Sequence, residues 1–121
     1  MNQSRVLVVE DDASLREALY DTLEMSGYSV AVAENGRMAL DIMSTDDIGI
    51  VISDVQMSPM DGHTLLKHIK TNKPDMPVLL MTAHGNVQKA VDAIQSGAVD
   101  YLVKPFEAEV LVNMVGRYIA K

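Results

Sequence analysis

Ile50-Val51-Ile52-Ser53-Asp54 is the stretch on which the reading of the fold turns. Three β-branched residues in a row make an apolar run too short for a helix and without polar alternation. A continuous run of this kind reads as a strand covered on both faces, as in a parallel sheet. It delivers Asp54 to its carboxyl end. In open parallel sheets that edge is where ligands bind.

Similar runs lie on either side. They are Val6 to Val9, about Tyr28 to Ala33, Val78 to Met81 and Val99 to Val103. Helical periodicity fills the intervals. Leu15, Ala18, Leu19 and Leu23 form one apolar stripe. Val87, Ala90, Val91 and Ile94 form a second, and Leu111, Met114, Val115 and Tyr118 a third. Leu65, Leu66 and Ile69 make a shorter stripe, and about Gly36 to Ser44 carries the weakest pattern. Ser26-Gly27-Tyr28 and Ser96-Gly97-Ala98 look like helix ends closed by a left-handed glycine. The alternation predicts an α/β fold, a five-stranded parallel sheet with helices on both faces.

The 121 residues suit one compact domain, and 48% hydrophobic with 22% charged residues is an ordinary globular composition. A formal net charge of −7, with the basic residues scattered, argues against nucleic-acid binding by this domain. The absence of cysteine removes disulfides and thiolate metal sites and suits a reducing cytoplasm. Val6 to Val9 stops at Glu10, too short for a signal-peptide core or a membrane span.

The residues behind each strand carry the chemistry. Glu10, Asp11 and Asp12 follow the first, Asp54 the third, Thr82 and Ala83 the fourth, Lys104 and Pro105 the fifth. Glu34-Asn35-Gly36 behind the second reads as a turn. Converging carboxylates repel. At about 4 Å near a surface one like-charge pair costs roughly 4 kcal/mol. A hard divalent cation on carboxylate oxygens with some waters kept, Mg²⁺, would offset this, and Lys104 would neutralise part of the remainder. A carboxylate can also attack phosphorus to form an acyl phosphate. Such transfer mainly needs positioning and charge stabilisation of the moving oxygens.

Simpler readings stand beside these. Asp12 is well explained as the N-cap of the first helix. Thr82 would cap the helix beginning near Asn86. Lys104 would be a solvated residue before a turn proline. Tyr101 would fill the core with its hydroxyl reaching water. His63, His68 and His84 make no metal set, and His63 and His68 read as surface residues. The nine methionines read as core packing.

Together these residues resemble the receiver domains of two-component response regulators. Val8-Val9-Glu10-Asp11-Asp12 is similar to the family's first-strand acidic cluster. Asp54-Val55-Gln56-Met57 with Met60-Asp61-Gly62 resembles the phospho-acceptor motif. Met81-Thr82-Ala83 resembles the switch hydroxyl and its small neighbour, and Asp100-Tyr101-Leu102-Val103-Lys104-Pro105-Phe106 the Lys-Pro motif with its upstream aromatic. The four motifs stand in register over residues 1–121, and Met81 to Phe106 looks most like receivers of nitrogen-regulatory-type transcription activators.

The resemblance implies a flavodoxin-like, CheY-like doubly wound (βα)5 three-layer sandwich. It implies Asp54 as phospho-acceptor, and Mg²⁺ held by Asp11, Asp54 and the Gln56 backbone carbonyl, with Glu10 acting through water. Lys104, Thr82 and the Ala83 backbone would contact the phosphoryl group. Thr82 and Tyr101 would switch, and Gln56 and His84 would tune dephosphorylation. The implied partners are a sensor histidine kinase and an effector met through the last helix-strand-helix face, about 86–120. A phosphorylation-linked homodimer is also within the pattern, and the site of action would be cytoplasmic. One departure stands out: the family has Pro four residues after the acceptor, where this chain has Ser58, with Pro59 one later. That would alter the loop path beside Asp54.

Three other functions compete. A haloacid-dehalogenase-like phosphatase resembles this residue set but needs a second Asp where Gln56 stands, and a cap insertion for which there is no room. A flavin binder needs a phosphate-cradling loop where Glu10-Asp11-Asp12 would repel phosphate. A phosphorylation-silent interaction module would not need the full set.

Overall fold

A computed structural model describes residues 5–57, 60–83 and 87–119. Strands and helices alternate through it: β1 (Arg5–Val9), α1 (Ala13–Met25), β2 (Val30–Ala33), α2 (Gly36–Thr45), β3 (Ile48–Asp54), α3 (Gly62–Asn72), β4 (Val78–Thr82), α4 (Val87–Gln95), β5 (Asp100–Val103) and α5 (Ala108–Tyr118). The five strands form one parallel sheet in the order β2-β1-β3-β4-β5. The predicted doubly wound architecture is what the chain adopts.

Side chains alternate across a strand, so each strand feeds two cores. Val6, Val8, Ile50, Ile52 and Leu79 pack on one face with Leu19 and Leu23 of α1 and Leu111 and Val115 of α5. Leu7, Val9, Val51 and Leu80 pack on the other with Ala39 and Met43 of α2, Leu65, Leu66 and Ile69 of α3, and Ala93 of α4. Every residue of β3 and β4 is buried. The edge strands β2 and β5 leave Val32 and Val103 exposed. No helix among the described residues is long and apolar enough to cross a membrane.

The weakest predicted helix is real. Asn35 caps α2 by accepting from the Met38 N–H at 2.8 Å. A Cβ on Gly36 would lie 2.7 Å from the Met60 sulfur, so a larger residue there would require the Met60 side chain to move. Gly27 and Gly97 sit at φ 96° and 110°, the left-handed helix ends the sequence predicted. β3 starts two residues earlier and ends two later than its β-branched core. β2 starts only at Val30, although the Ser29 carbonyl before it already accepts from the Val6 N–H at 2.8 Å.

Two predicted stripes are not used in full: in α1 Ala18 is exposed, and in α4 the departure is larger. Val91 and Ile94 are 41% and 47% exposed, while Ala93, outside the stripe, is fully buried. The cause is position. α4 lies against β5, the edge of the sheet, where only a narrow strip of helix is covered. The small Ala93 gives the close approach. The methionines divide likewise: Met43, Met57, Met76 and Met81 are buried, but Met25 is 88% exposed.

Candidate functional site

The carboxyl end of β1 is held to the sheet one residue past the strand, where the Glu10 N–H donates to Ala33 O at 3.0 Å. The chain then turns into α1. Asp12 accepts from the N–H groups of Ser14 at 3.0 Å and Leu15 at 3.3 Å. Asp12 is therefore the helix cap, as local chemistry predicts. Its own N–H donates to Glu10 Oε2 at 3.2 Å.

Glu10, Asp11 and Asp54 each offer a carboxylate oxygen, and the three lie within 4.8 Å of one another. Among the described residues this is the group of acids and histidines able to hold a metal ion. Glu10 is 1% exposed and Asp54 5%, while Asp11 faces solvent. His63 is half-buried and His68 exposed, outside this group.

Asp54 is the last residue of β3, and its surroundings are fixed by backbone contacts. The Val55 N–H donates to Met81 O at 2.8 Å, and the Gly62 N–H donates to Val55 O at 2.8 Å. A Cβ on Gly62 would lie 2.5 Å from Asp54 O and 2.8 Å from Val55 Cα. Glycine at this position lets the first turn of α3 press on the backbone that carries the acid. Asp61 caps α3, accepting from the Thr64 N–H at 2.8 Å. That hydrogen bond holds its carboxyl below the usual carboxylate value despite some burial.

Lys104 arrives from the end of β5. Its ammonium lies 2.8 Å from Glu10 Oε1 and 3.3 Å from Asp54 Oδ1. Its N–H donates to Thr82 O at 2.7 Å, and its bond to Pro105 is cis. It is no free surface lysine. Burial alone would lower its pKa, but the Glu10 hydrogen bond and the charges of Glu10 and Asp54 raise it, so it stays an ammonium. Glu10 is pulled both ways. Burial raises its pKa, the Lys104 bond opposes this, and the Asp54 charge adds to the rise. Three carboxylates against one ammonium leave a negative edge suited to a hard cation.

Thr82 is buried as the last residue of β4, in the strand and not at the start of α4, and Ala83 beside it is exposed. Tyr101 packs against the core layer of α2, α3 and α4. Its hydroxyl does not reach water, contrary to the simpler expectation. It is buried and has no hydrogen-bond partner among the described residues. The ring is anchored by packing. Gln56 is exposed beside the acid, whereas His84, Ser58 and Pro59 lie outside the described residues.

Sequence reasoning passed over Arg16. Its Nη1 donates to the Glu10 carbonyl at 2.9 Å. An arginine on the first helix carries no motif, so nothing local marked it.

With this geometry in place, likeness to known proteins decides the family. Residues 6–116 match the response regulator receiver domain. The chain belongs to that family. As a receiver domain it is a phosphorylation-dependent signalling module. It is 50% identical over 115 residues, 95% of this chain, to the response regulator protein FleR of Pseudomonas aeruginosa. It is 41% identical over 120 residues, 99% of this chain, to the DNA-binding transcriptional regulator NtrC of Escherichia coli. This receiver spans about a quarter of the length of each, 24% and 26%. The crystal structure of the NtrX receiver domain from Brucella abortus superposes with a TM-score of 0.88 at 34% identity, covering 93% of this chain and 96% of that one. These relatives agree with the predicted nitrogen-regulatory-type resemblance, and nothing in them supports the phosphatase alternative. Receiver domains interact with histidine kinases and effector domains, and the family binds Mg²⁺.

Proposed function

We propose that residues 1–121 form a single receiver domain in which Asp54 accepts a phosphoryl group from a phosphohistidine of a sensor kinase. An Asp54 oxygen attacks phosphorus, the P–N bond to the donor imidazole breaks, and an aspartyl phosphate results. The residues that would hold Mg²⁺ are Asp11, Asp54 and the Gln56 backbone carbonyl, with Glu10 acting through water. When bound, the ion would neutralise charge on the phosphoryl oxygens.

The reading rests above all on the Lys104 ammonium, which lies 3.3 Å from Asp54 and 2.8 Å from Glu10, beside the three grouped acids. Lys104 would exchange part of its pairing for the incoming phosphoryl group. Thr82 and the Ala83 backbone would take other oxygens. Tyr101 would follow Thr82, shifting the population between two packings of the α4-β5-α5 face. Gln56 and His84 would set the lifetime of the phosphate. The output would be an effector reached through that face, controlling transcription in the cytoplasm, with a linked homodimer as one route.

The test is transfer from an autophosphorylated sensor kinase in Mg²⁺ and in EDTA. The wild-type chain gains label in Mg²⁺ only, and Asp54→Asn gains none. Equal labelling of the two would overturn the assignment.

A further inference from the structure

We infer that Arg16 is a positioning residue for the cation site, setting how Glu10 and Asp11 are presented. The inference rests on the reading of Glu10, Asp11 and Asp54 as that site. Three observations carry it. Arg16 Nη1 donates to the Glu10 carbonyl at 2.9 Å, one residue past the end of β1. The Glu10 N–H is bound to Ala33 O, so both backbone groups of Glu10 are held by hydrogen bonds. Arg16 also makes no ion pair with an acid among the described residues. Its guanidinium is used on backbone and leaves the carboxylates available.

Its place in α1 supports this. Arg16 is the fourth residue of a helix whose cap is Asp12. A cation there opposes the positive end of the helix dipole. A residue set against its local preference marks a position where another demand dominates. That demand is the β1–α1 turn. Two residues farther on, the Asp12 N–H reaches Glu10 Oε2, so a shift of the Glu10 backbone moves Glu10 and Asp11, the two acids of the site that follow β1.

Charge and position predict opposite signs. If Arg16 acted only through its charge, removing it would tighten Mg²⁺ binding to the acids. If it positions them, removing it weakens binding. Groups that orient metal ligands are worth about tenfold or more in affinity. The experiment is calorimetric titration of EDTA-stripped protein with MgCl₂, for wild type, Arg16→Met, Arg16→Lys and Asp11→Asn, with circular dichroism to confirm folding. Arg16→Met is expected to bind Mg²⁺ about tenfold more weakly than wild type. Arg16→Lys, which keeps the charge and a donor, should lose less than that. Should Arg16→Met not fold, Arg16→Lys carries the test, a measurable weakening being expected. Unchanged or tighter binding in the folded variants overturns the inference while Asp11→Asn still weakens it. If Asp11→Asn binds as wild type does, the cation-site reading itself fails, and the inference with it.

Discussion

Lys104 and Glu10, 94 positions apart, meet at 2.8 Å on the carboxyl edge of the sheet, and the Glu10 side chain there is almost wholly buried. Each depends on the other. The lysine keeps a buried carboxylate tolerable, and the carboxylate holds the ammonium within 3.3 Å of Asp54. The site is thus negative and under internal repulsion when no cation is bound.

Relief of that repulsion is measurable. Asp11 is exposed, and its carboxylate joins the two buried ones within 4.8 Å. Asp11→Asn is expected to stabilise the chain in EDTA by about 1 kcal/mol, the scale of one such pair in contact with water. The same change should weaken Mg²⁺ binding. Urea unfolding in EDTA and in MgCl₂ checks both, and a lower midpoint in EDTA would contradict the account.

Asp61 supplies a pH signature. Its carboxyl is held below the usual value by the Thr64 N–H. A depressed folded pKa gives stability that is present above the unfolded value of 3.8 and is lost as pH falls through the folded one. Asp61→Ala should therefore cost about 1 kcal/mol at neutral pH. As pH falls below 3.8 and through the folded value, the gap to wild type should narrow, because a protonated cap loses that advantage. Urea midpoints across that range decide it, and a gap independent of pH would count against the cap.

Two glycines should behave differently. Gly27→Ala meets no neighbour and faces only its φ of +96°, which costs about 1 kcal/mol. Gly62→Ala meets the Asp54 backbone at 2.5 Å, which no flexible side chain can relieve. It should cost about 1–3 kcal/mol and slow phosphorylation by displacing Asp54. Equal phosphorylation rates in the two variants would separate the start of α3 from the site.

Tyr101 carries a buried hydroxyl without a partner among the described residues. Tyr101→Phe keeps the packing and removes that group, so stability should rise by about 1 kcal/mol or more. Thermal unfolding tests this. A lower midpoint would mean that the hydroxyl is satisfied in solution.

Much of this was legible along the chain because it is local. Asp12 reads as a cap since its partners are two and three residues away. Ile50 to Asp54 reads as a buried strand because its neighbours along the chain already carry the apolar signal. The α4 stripe misled because periodicity cannot show that the helix lies over a sheet edge, where Val91 and Ile94 stay outside. Its position behind the fifth strand placed Lys104 at the site, but its pairing with Glu10 is a product of tertiary structure, as is the Arg16 bond to the Glu10 carbonyl.

The central claim, that Asp54 takes the phosphoryl group, is tested most directly by intact mass after incubation with Mg²⁺ and a small acyl-phosphate donor, wild type beside Asp54→Asn. The account predicts one phosphoryl adduct on wild type, dependent on Mg²⁺ and absent from the variant. An adduct on both proteins, or none on wild type that demonstrably binds Mg²⁺, would contradict it.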